Sequence, residues 1–85
     1  NVDFAGRIVW EEVKDAQGNV VNDENGNPLK HEVFNFGKYK GWDVAEILTK
    51  DPGYFTWVLG SDFTNNTKQV LTRIRLREFN KRMGK

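Results

Sequence analysis

An 85-residue chain forms one domain at most and buries only about 60–65% of the surface its unfolded form exposes, so its core must be dense in large side chains. Three Trp, six Phe and two Tyr supply that density, and with no cysteine neither disulfides nor thiolate zinc sites supplement it. The net charge of +1 hides a division: residues 1–37 carry three basic and seven acidic groups, residues 38–85 ten and five.

No apolar run approaches the ~20 residues of a membrane span, and neither a signal-peptide pattern nor an initiator methionine opens the chain. The expectation is a segment of a longer cytoplasmic protein without a membrane partner. Phe4 to Val13, FAGRIVWEEV, has the β-branched and aromatic content of a strand, with Ile8 and Trp10 on one face and Val9 on the other. Residues 15–28 then repeat a short pattern, DAQGNVV and DENGNPL, rich in turn formers, and read as a mobile polar insert in a hairpin. Asp23, Asn25 and Asn27 do not make an EF-hand, because Pro28 and Phe34 stand where that loop needs Gly and a bidentate Glu. Leu29 to Phe36 is the second strand, with Val33 facing opposite to Phe34 and Phe36, and a short third strand is expected around Tyr39 to Trp42.

Gly37 and Gly41 bracket Lys38, Tyr39 and Lys40, which reads as a tight turn with an exposed tip of two ammonium groups and a phenol. Asp43 followed by Glu46 is the acidic form of a capping box, so a first helix should begin at Val44 and run to Lys50. Asp51 then caps a second helix, Pro52 to Leu59, ended by Gly60. Tyr54, Phe55, Trp57, Val58 and Leu59 are apolar nearly all round, which predicts burial. Thr64 caps a third, long helix. There Val70, Leu71 and Ile74 cluster on one side, while Leu76, Phe79 and Met83 lie well round from them, so this helix should touch two partners.

The run FNFGKYKG, followed by DVAEIL, DPGYFTWVL and DFTNNTKQVLTRIRLREFN, resembles the exonuclease X-like C-terminal domain. That small domain follows the catalytic domain in some bacterial DnaQ-like 3'-5' exonucleases, proteins like the epsilon subunit of DNA polymerase III. The motifs cover Phe34 to Asn80, and the opening DFAGRIV is similar to the start of the same domain. The long polar insert, and Thr64 where proline is expected, depart from the pattern. The resemblance implies a nucleic-acid-handling parent whose catalytic carboxylates lie in another domain.

His31 stands alone, with no cysteine or second histidine to complete a metal site or a nucleophile-base pair, and reads as a surface strand residue. Asp43, Glu46, Asp51 and Asp62 do not form a converging acidic cluster, and three of them are accounted for by helix starts. No catalytic residue, cofactor, metal or small-molecule substrate is therefore expected here. Trp10, Trp42, Trp57, Tyr39, Phe36 and Phe63 are candidate stacking platforms for bases, but most are needed as core, and Tyr39, between two lysines, is the one expected to stay accessible. From Thr64 to Lys85 seven cations face Glu78 alone. Arg73, Arg77 and Lys81 recur every four residues and align along one edge of the helix, while Lys68, Arg75 and Arg82 form a second row.

The sequence thus predicts a single α+β domain: a small twisted antiparallel sheet of two or three strands, covered on one face by two short helices and one long one. Its core should comprise Ile8, Trp10, Val33, Phe36, Val44, Ile47, Leu48, Phe55, Trp57, Val58, Val70, Leu71 and Ile74. The expected function is an accessory nucleic-acid-binding domain that holds DNA, as a single strand or duplex end, near the exonuclease site of its own parent chain. Lys38, Tyr39, Lys40, Arg73, Arg77 and Lys81 are the expected contacts. The alternative is a protein-interaction or dimerisation module, in which Leu76, Phe79, Met83 and the acidic half dock onto the exonuclease domain or a replication partner.

Overall fold

The computed structural model describes residues 1–84. Two strands, β1 (Ile8–Glu12) and β2 (Lys30–Phe34), are followed by three helices, α1 (Val44–Lys50), α2 (Pro52–Leu59) and α3 (Asn65–Gly84), an α+β arrangement. The strands pair antiparallel, from Ile8 opposite Phe34 to Glu12 opposite Lys30. A two-stranded sheet is marginal alone, so it depends on what its apolar face meets. Ile8 and Phe34 project from that face into a core completed by Val44, Ile47, Phe55, Val58, Val70, Leu71 and Ile74.

The helix starts fall where the sequence places them. The Asp43 carboxylate accepts the Glu46 N–H at 2.9 Å, and the Thr64 hydroxyl accepts the Thr67 N–H at 3.3 Å. Asp51 behaves differently. Pro52 stands at the start of α2, but the Asp51 side chain makes no capping bond and instead accepts a hydrogen bond from the Tyr39 hydroxyl at 2.6 Å.

β1 is shorter than the sequence suggests because the chain before it is held elsewhere. Buried Asp3 accepts the Ile8 N–H at 3.0 Å and the hydroxyl proton of Thr67, which is itself buried, while the Phe4 N–H donates to the Asn66 side chain at 2.6 Å. The N-terminal segment is thereby tied to the first turn of α3, where the helix dipole favours a carboxylate. Phe4 lies in a turn, 91% exposed, rather than in the sheet.

Nor is there a third strand among the described residues. Gly37–Tyr39 form a single 3-10 turn, with φ of +67° at Gly37 and +88° at Gly41, conformations that glycine adopts without strain. The returning chain still touches β2: the Phe34 N–H donates to the Trp42 carbonyl, the Gly41 N–H to the Phe34 carbonyl, and Asp43 makes an isolated bridge to Val33.

Between the strands, the pseudo-repeat folds as two similar turns. Asp15 accepts the N–H groups of Gln17 and Asn19, and Asp23 those of Asn25 and Asn27, all at 2.9–3.0 Å. Eight-residue spacing brings Val13, Val21 and Leu29 together in a closed ring of backbone hydrogen bonds: Val13 N–H to Leu29, Leu29 N–H to Val21, Val21 N–H to Val13. None of the residues from 13 to 29 contributes to the hydrophobic core. Replacing Ala16 to Asn27 with an Asn-Gly turn should therefore change stability by about 1 kcal/mol or less, since loop length alters closure entropy weakly. Urea denaturation followed by circular dichroism checks this, and a loss of several kcal/mol would show the insert to be structural.

Candidate nucleic-acid interface

The tip rises from the end of β2. Tyr39 does not stand free on it: its ring packs edge-on against Trp42 and Tyr54, and its hydroxyl is bound to Asp51. That bond raises the pKa of the Tyr39 phenol and lowers that of the Asp51 carboxyl. Lys38 lies 3.7 Å from the same carboxylate and 5.1 Å from the Tyr39 ring centroid, whereas Lys40 is exposed.

The row on α3 is also divided. Arg77 grips Glu32 of β2 with both terminal nitrogens, at 2.7 and 3.1 Å, and reaches Glu78 at 3.0 Å; Lys81 lies 3.5 Å from Glu78. Arg77 lowers the pKa of the buried Glu32 carboxyl chiefly by donating these hydrogen bonds, and its own is raised in return. Arg77 and Lys81 line a recess with Trp10, Lys30, His31, Glu32 and Asp43, in which His31 is hydrogen-bonded to Asp43. Arg73 lies elsewhere, in a shallow groove on the outer side of α3 with Asn65, Lys68, Gln69, Thr72 and Leu76. Among the described residues Lys40, Lys68, Arg73 and Arg75 form no ion pair, while Arg82 donates to Thr49 of α1. Lys68 and Arg73 are thus neighbours, in a groove whose lining includes neither Lys38 nor Lys40.

Two expected core residues prove to be surface residues. Trp10 shares the helix-facing side of the sheet with Ile8 but sits opposite Glu32, where α3 presents Arg77 instead of an apolar side chain, and it is 50% exposed. In α2, Phe55 and Val58 turn into the core, while Tyr54 and Trp57, also three residues apart, turn toward the tip. Trp57 is 58% exposed there and, with Phe36, Gly37, Lys38 and Tyr54, lines an apolar groove. The two interleaved i, i+3 pairs were the signal in the sequence for a two-sided helix. Among the described residues no group of three or more His, Asp or Glu side chains is placed to hold a metal ion, and no helix is long and apolar enough to cross a membrane.

Residues 34–61 match the exodeoxyribonuclease X-like C-terminal family. This stretch contains the tip, α1 and α2, so the resemblance drawn from FNFGKYKG, DVAEIL and DPGYFTWVL holds there. Exodeoxyribonuclease 10 of Escherichia coli strain K12 and that of strain O6:H1 are each 35% identical over 54 residues, which cover 64% of this chain and 22% of theirs. The matched region is thus about a fifth of the length of these relatives. No solved structure gives a significant match.

The exonuclease X-like stretch includes the tip but not α3, so the helix cations must be judged on geometry alone. Arg77 is a structural ion-pair partner. Arg77→Ala leaves the Glu32 carboxylate buried without its guanidinium and should cost about 1–3 kcal/mol at neutral pH. Because Glu32 titrates lower in the folded than in the unfolded chain, the stabilisation is complete above the ordinary glutamate pKa and lost as pH falls through the folded value. Urea melts of parent and variant should therefore differ at neutral pH and converge in strong acid. A difference independent of pH would contradict the assignment.

Proposed function

We propose that the chain is an accessory nucleic-acid-binding domain that holds DNA near a separate 3'-5' exonuclease site in its parent protein, a cytoplasmic bacterial enzyme of the DnaQ-like, polymerase III epsilon-like kind. The observation that carries this reading is the pairing of Lys68 and Arg73 in one groove with Asn65, Gln69 and Thr72. Two cations without carboxylate partners, set among amide and hydroxyl donors, suit successive phosphates of a backbone. Lys40 adds a further unpaired cation at the tip, within the stretch similar to exodeoxyribonuclease 10. Lys38 and Tyr39 act there through Asp51, which orients both, while Arg77 serves mainly to fix α3 to the sheet and Lys81 pairs with Glu78 of its own helix. Catalysis belongs to another part of the parent chain.

A second reading, docking onto the exonuclease domain, is favoured by Leu76, Phe79 and Met83, which are 56%, 57% and 67% exposed on the outer side of α3. Salt separates the two, because phosphate contacts release counterions whereas apolar docking does not. Single-stranded and duplex DNA should bind the domain more weakly as salt rises. Lys68→Ala with Arg73→Ala should weaken binding and flatten the slope of log affinity against log salt by about one unit for each phosphate left without its cation, while Lys14→Ala with Lys30→Ala should do much less. Fluorescence anisotropy at several salt concentrations reads both. Equal losses from the two double variants would reduce the effect to net charge, and no binding by the parent would favour docking.

A further inference from the structure

A tryptophan more than half exposed on a short helix, in a domain that needs every large side chain for its core, points to a partner surface. Around Trp57 the rings stand in tiers. Tyr54 lies 5.7 Å from Trp57 at an interplanar angle of 30°, and Phe36 lies 6.4 Å from Tyr54 at 25°, so the rings stack in sequence and Trp57 ends the tier. The groove they line has a volume of about 370 Å³. Gly37 approaches this groove closely, since a Cβ there would come within 3.0 Å of the Tyr54 hydroxyl oxygen. Such a groove accepts a flat, π-faced group.

We infer that this groove stacks an unpaired nucleobase of a single strand on the exposed ring of Trp57, an inference that rests on the nucleic-acid reading above. Charge identifies the occupant. Lys38 stands on the lip, and the guanidinium of Arg7 lies over Phe36 and Phe63, 5.7 and 5.4 Å from their centroids, without an ion-pair partner among the described residues. Lys38 lines the apolar slot and Arg7 lies against its Phe36 wall, with Lys40 two residues further along the tip, which suits a base flanked by phosphates. A proline-rich peptide would also fit between parallel rings, but it brings no anion to meet those cations. A base inside a duplex is already stacked and paired and does not enter, so the site distinguishes a single-stranded end.

The test is binding of labelled oligothymidylate, an abasic oligonucleotide of equal length, a blunt duplex and a polyproline peptide to the parent chain, Trp57→Leu and Trp57→Phe. Because Trp57 is exposed, circular dichroism melts should show all three proteins folded, and Trp57→Phe retains an aromatic face as a second check. Trp57→Leu should weaken oligothymidylate binding on the order of five- to a hundredfold with an unchanged salt slope, since it removes a stack and leaves every phosphate neutralised. Trp57→Phe should recover most of that loss, and abasic and duplex binding should be the same in all three proteins. Oligothymidylate bound equally by parent and Trp57→Leu would overturn the stacking site and leave the accessory-domain reading standing. A parent that binds no nucleic acid would overturn both, and a peptide bound in preference to oligothymidylate, with loss in Trp57→Leu, would overturn the nucleobase as occupant.

Discussion

The fork between Arg77 and Glu32 decides which way the long helix faces. Val70, Leu71 and Ile74 turn the first half of α3 into the core it shares with α1, α2 and the sheet, and beyond them its hold on the sheet is an ion pair. With Arg77 turned inward, Leu76 lies about 200° round from Ile74, on the far side of the helix with Phe79 and Met83. Polar and apolar residues have exchanged their usual places over the last turns. The outer surface of α3 is therefore available to a partner as a consequence of how its inner surface is held.

Carboxylates do most of the joining. Asp3 links the N-terminus to β1 and α3, Asp43 caps α1 and binds His31, and Asp51 gathers Tyr39 and Lys38 at the base of the tip. Asp15 and Asp23 close the two turns of the insert. Of the seven carboxylates in residues 1–37, Asp3, Asp15, Asp23 and Glu32 take internal donors, while among the described residues Lys40, Lys68, Arg73 and Arg75 of the second half form no ion pair.

Helix starts, the positive-φ glycines and the α+β class were legible in the sequence because each depends on neighbours within four residues: Asp43 with Glu46, Thr64 with Thr67, Gly37 with the turn it opens. What was not legible depends on long-range partners. Nothing local shows that Arg77 will meet Glu32, 45 residues earlier, and so the helix row reads as one binding edge when the structure divides it. Phe34, omitted from the expected core, is its central ring, edge-on to Phe36, Tyr54 and Phe55. Trp10 reads as core because it shares a strand face with Ile8, and Trp57 because its helix is apolar nearly all round. Side-chain volume says how much surface a residue can bury, and only the extent of the opposing surface says whether it will.

The ring formed by Val13, Val21 and Leu29 bears on how little strand edge the sheet leaves open. In a two-stranded ribbon neither strand is central, so each has an outer row of backbone groups able to recruit another chain in register, and a straight hairpin through residues 13–29 would lengthen both rows. Curling that segment into a closed ring turns its amides and carbonyls on one another. Near the other end of the ribbon, Gly41 and Trp42 occupy the backbone of Phe34. What remains open is a template only a few residues long, bordered by Glu11 and Glu12, too short and too charged to seed a cross-β stack.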